Sequence, residues 1–147
     1  MVARSEFNFH WSFRVRYSEI DGQRVVFNAH YLTYFDTAIT EYFRALPYDY
    51  IGQIERTGED FHTVKTVVEY KQPIGFDDDI EVYVRMAHIG RSSLTFALEI
   101  YLKNHETMKA CGEVVWVNTC QRTHTSAALP QELIDKVKAF ESFSATT

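Results

Sequence analysis

The chain has 147 residues, enough for one domain with a single sizeable core. Hydrophobic residues at 46% and charged residues at 24% are ordinary for a soluble globular protein, while aromatics at 15% point to a dense core, a pocket or an interface. The net charge of −5 argues against sequence-independent nucleic-acid binding, which needs a basic face to displace counterions.

The opening residues, MVARSEFNFHW, carry charges and no apolar run of signal-peptide length, and nothing later approaches a membrane span. The expectation is a soluble, cytoplasmic protein built as one domain over residues 1–147. From Phe7 to Tyr17 the odd positions are Phe, Phe, Trp, Phe, Val and Tyr, and the even ones are polar. Strict alternation predicts a half-buried strand. Residues 18–26 follow as a loop with Asp21-Gly22 as its turn. Next, Tyr31, Tyr34, Phe35, Ala38, Tyr42 and Ala45 keep the rhythm of a helix, with Asn28 as a favourable N-cap and Pro47 as its end. Leu32, Ile39 and Phe43 add apolar side chains beyond one stripe, which predicts a buried helix.

A polar stretch with a short helical turn, YDYIGQIERTGED, leads to four further alternating segments. Their inward positions are Val64 to Tyr70, Ile80 to Met86, Leu94 to Leu102, and Met108 to Trp116. The connections GFDDD, HIGRSS and KNHET are short, which favours antiparallel neighbours. Pro130 opens a last amphipathic surface helix, PQELIDKVKAFE. Strand, long apolar helix, four strands and short helix give an α+β protein in which one antiparallel sheet wraps a long central helix. That is the outline of the hotdog fold. A lone sheet of this kind leaves an open edge, so a homodimer or homotetramer is expected.

Cys111 and Cys120 lack zinc-like spacing and are too few for a disulfide scaffold, so both are expected as reduced thiols. The six histidines form no ligand pattern, so neither a metal nor another cofactor is expected. There is no Gly-x-Ser-x-Gly elbow and no Cys–His arrangement.

The segment VRYSEID…VVFNAHYLTYFDTAITEYFR resembles the signature of the 4-hydroxybenzoyl-CoA thioesterase family of hotdog acyl-CoA thioesterases. The matching residues are Arg16-Tyr17, Glu19, Asp21, Asn28-Ala29-His30-Tyr31 and Tyr34-Phe35-Asp36. VEYKQPIGFDDDIEVYV and IGRSSLTFALEI resemble two later pieces of the same signature, in the same order. Two departures stand out. Glu19 replaces the usual Asp, and Arg24 stands where the family usually has glycine, so that Gly22 would take over the loop's flexibility.

The resemblance implies hydrolysis of an acyl-CoA substrate, with coenzyme A as part of that substrate. It assigns Asp21 as nucleophile or as general base for water. The residue alone favours a turn aspartate bonding its own backbone, and the motif around it favours the catalytic role. At the start of the helix, the Asn28 N–H would polarise the carbonyl in the manner of an oxyanion hole. Arg91 and Ser92 would meet the phosphates of coenzyme A, aided by Arg24 and Lys65 as local cations. Tyr31, with Tyr34 and Phe35, would supply pocket wall or core, which the sequence does not divide. Asp36 would line the acyl pocket or hydrogen-bond across the dimer, with structural duty the stronger expectation. The alternative is a non-catalytic acyl-CoA-binding hotdog protein. Hydration of an acyl thioester needs a His–acid pattern that is missing here, and a transcription regulator needs an appended DNA-binding motif.

Overall fold

A computed structural model describes residues 4–141. In chain order its elements are β1 (His10–Arg14), α1 (His30–Ala45), α2 (Tyr50–Thr57), β2 (Glu59–Tyr70), β3 (Asp79–Ile89), β4 (Ser93–Leu102), β5 (Met108–Cys120) and α3 (Gln131–Glu141). The strands form one five-stranded sheet in the order β1-β3-β4-β5-β2, antiparallel throughout. The expected α+β hotdog architecture is met.

Helix α1 is the core. Tyr31, Tyr34, Phe35, Ala38, Ile39, Tyr42 and Phe43 are all buried, whereas Leu32 is exposed. Each large side chain of that set gains roughly 1.5–3 kcal/mol over exposure. The inward rows of β3 and β4, from Ile80 to Met86 and from Leu94 to Ile100, complete the core as the alternation predicts. On β5, Gly112 lets the helix approach closely. A Cβ there would come within 2.1 Å of the Val67 carbonyl oxygen and 2.6 Å of Phe35 Cε2.

Three expectations need correction. The first strand is shorter than Phe7–Tyr17: Phe7 and Val15 are buried beyond its ends, but Tyr17 is 75% exposed in a 3₁₀ turn, Tyr17–Glu19. There the Glu19 carboxylate, accepting from the Arg16 N–H at 2.8 Å, bends the chain out of the sheet. Second, β2 has a register irregularity between Thr63 and Lys65, so Val64 leaves the inward row and is 60% exposed. Third, the GFDDD connection does not join neighbours. β2 lies at one edge beside β5, and β3 pairs with β1 and β4, so segment 71–78 crosses the end of the sheet.

The polar stretch is the helix α2, capped by the Asp49 carboxylate on the Gly52 N–H at 2.9 Å and closed by Gly58 at φ 71. Helix α3 buries Leu133 and Val137, and its Glu141 accepts from the Tyr42 hydroxyl (2.6 Å) and the Met86 N–H (2.8 Å). It is docked along one face.

Candidate active site

Residues 20–28 form a strap between β1 and α1. The crossing segment 71–78 holds the strap down through a Val25–Gly75 bridge and the Val26 N–H donating to the Ile74 carbonyl at 2.7 Å. Within the strap the Asp21 N–H bonds the Val25 carbonyl and the Arg24 N–H bonds the Asp21 carbonyl, both at 2.9 Å. Arg24 closes this turn with φ 65. The expectation that Gly22 supplies the flexibility is overturned. Gly22 is outside the left-handed region and Arg24 takes that conformation itself, because the closing residue of this tight turn must curl backward.

Asp21 is half-buried, and its Oδ1 accepts from the Gln23 N–H at 2.8 Å. That is the turn bond its residue type favours. Oδ2 has no partner among the described residues. The carboxylate faces a cleft of about 480 Å³ lined by Tyr17, Ile20, Gly22, Arg24 and Phe76. Glu19, its neighbour in the motif, is turned the other way. It is buried and accepts from the Arg16 N–H, the Arg16 guanidinium and the Tyr34 hydroxyl (2.9 Å). Burial alone would raise its carboxyl, but the bonds from Arg16 and Tyr34 outweigh it and hold the group below the usual carboxylate range. Glu19 therefore ties the strap to α1.

Asn28 does not cap α1. Ala29 is already helical at φ −64 and ψ −24, and it precedes the first helical residue. Backbone turns from the His30 N–H to the Phe27 carbonyl (2.9 Å) and from the Tyr31 N–H to the Asn28 carbonyl (3.2 Å) satisfy the first donors, leaving a side-chain cap nothing to do. Asn28 is exposed, and its own N–H has no acceptor among the described residues. Asn28 lines a cleft of about 240 Å³ together with Val25, Val26, Tyr31, Tyr70, Lys71, Gln72 and Pro73. The Tyr70 hydroxyl donates to the Asn28 carbonyl at 3.2 Å, and the Tyr31 and Tyr70 rings meet edge-on at 4.8 Å. Burial, with Tyr70 beside it, pushes the Tyr31 phenol up to about 12.

The two clefts share no lining residue, so Asp21 and Asn28 line separate clefts of the one chain. Arg91 and Ser92 are further away. They form the bend between β3 and β4, where the Asn118 N–H bonds the Ser92 carbonyl at 2.8 Å and the Leu129 N–H bonds that of Arg91 at 2.9 Å. Asp21 lies near the Asp79 end of β3, and the bend follows its other end, roughly 35 Å along at about 3.3 Å per residue. Asp36 sits exposed on α1, its carboxyl raised by desolvation and without an ion-pair partner among the described residues. Lys65 is bound to Glu113 at 3.2 Å and lines neither cleft.

Sequence reading missed Tyr70, Lys71 and Phe76 as cleft residues. Tyr70 keeps the inward phase of its strand and reads as core, and the crossing that brings Lys71 and Phe76 beside the strap has no local signal. Both cysteines are free, and the described residues hold no cluster of three metal-ligating side chains. Among them no helix is long and apolar enough to cross a membrane.

Residues 23–109, from the strap through the sheet, match the family model described as Thioesterase superfamily. The chain belongs to the Thioesterase superfamily. Relatives agree along nearly the full length. The acyl-CoA thioester hydrolase YbgC of Escherichia coli is 28% identical over 132 residues, covering 88% of this chain and 96% of that protein. The crystal structure of a Thermus thermophilus thioesterase complexed with coenzyme A and zinc is 27% identical, with TM-score 0.79 and coverage of 95% and 98%. A 1,4-dihydroxy-2-naphthoyl-CoA thioesterase from Synechocystis, at 16% identity, shares the fold with TM-score 0.82 over 88% of this chain and 94% of its own. The superfamily expected from the strap motif is thus the one found, and with it an enzyme that hydrolyses thioesters.

Proposed function

We propose that this thioesterase hydrolyses acyl-CoA thioesters to a free acid and coenzyme A. The observation that carries the reading is the uncommitted Asn28 N–H at the start of α1, in a cleft beside an open sheet edge. The positive end of the helix dipole favours negative charge there, so a carbonyl oxygen docked on that N–H gains stabilisation as the C=O bond opens. Asp21 has one free carboxylate oxygen and lines the separate cleft of the same strap. On this reading it attacks the carbonyl carbon or deprotonates the attacking water, which requires the bound thioester to reach from Asn28 to that cleft. Collapse of the tetrahedral intermediate breaks the C–S bond, and the thiolate leaves. With water as the attacking group the acid is released directly. With Asp21 as the attacking group a second water hydrolyses the acyl–Asp21 anhydride to the acid and restores the carboxylate.

The same reading takes the protein as a homodimer or a homotetramer built from such dimers. Strand β2 is twelve residues long and paired on one side, with Val64, Val67 and Tyr70 exposed along it. Two copies paired antiparallel along β2 reverse their ends. Tyr70 marks the Asn28 end of the strand and Glu59 marks the Arg91 end, since Glu59 faces Cys120 and Ser93 faces Val117. The pairing carries Arg91 of the partner subunit from the far end of its own sheet toward this chain's Asn28 cleft. There its guanidinium binds the coenzyme A phosphates, with Ser92 of the partner subunit beside it. Asp36 and Tyr31 then line the acyl pocket.

The alternative is a protein that binds acyl-CoA without cleaving it. The turn bond from Gln23 to Asp21 and the separation of the two clefts favour that reading. Thiol release across short, long, branched and aromatic acyl-CoAs, with Asp21→Asn alongside, decides between them. Turnover that falls by at least about 10²-fold in the variant supports hydrolysis through Asp21. Full activity in the variant removes Asp21 from the mechanism. Binding without release by the unaltered protein establishes the alternative.

A further inference from the structure

We infer that the Tyr31 phenol is a second donor to the thioester oxygen, acting beside the Asn28 N–H, an assignment that rests on the hydrolase reading above. Three phenols crowd the start of α1, and two have committed protons. Tyr34 donates to Glu19 at 2.9 Å, and Tyr70 donates to the Asn28 carbonyl at 3.2 Å. The Tyr31 hydroxyl has no partner among the described residues, although its residue is 97% buried. Nor is it sealed in: the one buried side-chain polar atom without a partner in the described structure is Trp116 Nε1, so the Tyr31 hydroxyl opens to the cleft it lines. A buried phenol ordinarily finds a hydrogen-bond partner. Here the space left for one is the cleft that holds the free Asn28 N–H.

The ring is held in place. It meets Tyr70 edge-on at 4.8 Å and Tyr34 at 6.1 Å, and it follows Asn28 by less than one helical turn. Burial keeps the phenol protonated across the working pH range, so it acts as a neutral donor. During attack the π electrons of the carbonyl move onto oxygen, and the Tyr31 hydrogen bond strengthens without transferring its proton. On collapse those electrons return, the C–S bond breaks, and Tyr31 is unchanged. Lys71, in the same cleft, is engaged by Glu69 at 3.0 Å and is not needed for this step.

The test pairs turnover with a direct reading of carbonyl polarisation in Tyr31→Phe, which keeps the ring and its packing. Turnover is measured on the acyl-CoA cleaved fastest. The infrared band of a ¹³C-labelled carbonyl is recorded on benzoyl-CoA bound to Asp21→Asn, with and without Tyr31→Phe. Removing one preorganised oxyanion donor lowers kcat by about 10²-fold with KM within a few-fold, and the bound carbonyl band moves back toward its value in water. An unchanged band, or an unchanged kcat, overturns the Tyr31 assignment and leaves hydrolysis standing. A band that depends on Tyr31 in a protein releasing no thiol keeps Tyr31 as donor and removes hydrolysis. Neither release nor a Tyr31-dependent band overturns both.

Discussion

Glu19 and Asp21 are two residues apart, chemically alike, and placed in opposite circumstances. Glu19 is 5% exposed and surrounded by donors, whereas Asp21 has one oxygen in a turn and one facing a cleft. The first therefore serves the fold and the second is available for chemistry. Because the folded protein holds the Glu19 carboxyl below its ordinary value, its charged form stabilises the fold above the unfolded pKa, and that contribution is lost as pH falls through the folded value. Melting temperature should then drop on acidification below about pH 4.5, near the ordinary glutamate value, and the drop should be shallower in Glu19→Gln. Equal slopes in the two proteins would show that Glu19 contributes nothing through its charge. From sequence, Glu19 looked like a mild replacement for a family aspartate. Its bonds to Arg16 and Tyr34 were not visible, because Tyr34 lies fifteen residues away across the strap.

The turn at residues 21–24 is the element whose geometry and residue type disagree most. Arg24 occupies φ 65, where a side chain costs about 1 kcal/mol and glycine almost nothing. Arg24→Gly should raise the urea midpoint by the equivalent of about 0.5–1 kcal/mol, even though glycine loosens the unfolded chain. A lower midpoint would mean that the arginine side chain has a compensating role. The same element shows why the sequence was partly readable. Asp-Gly correctly marked a turn, and the motif correctly marked a glycine position, but which residue adopts positive φ follows from how the turn closes. Helix α1 was readable for a simpler reason. Its apolar residues cover more than one stripe, and the sheet over the helix buries all of them but Leu32 and Ala45.

At the scale of the molecule, the candidate residues are spread along the sheet rather than gathered in one place. Arg91 and Asn28 sit at opposite ends, and the open β2 edge is the surface whose pairing would reunite them. Val64→Asp puts a charge on the edge at its irregular point, where Val64 is 60% exposed. The variant should sediment as a monomer and lose most thiol release while keeping its far-ultraviolet spectrum. A fully active monomer would remove the partner's Arg91 from the site.

The sequence by itself determined the period of each strand, the buried character of α1, the order of the elements and, through the strap motif, the superfamily. These are local or nearly local properties, since a period of two or of 3.6 residues is set by backbone geometry alone. Tertiary structure decided that β2 and β3 lie apart in the sheet, which carries segment 71–78 across the strap and builds both clefts. It also decided that Asn28 keeps its N–H free instead of capping the helix. Alternation states which face a side chain takes and leaves open which strand lies beside it. Residues close in space through a crossover have no pattern in common along the chain, so Tyr70 and Tyr31 met at the cleft only once the chain had folded.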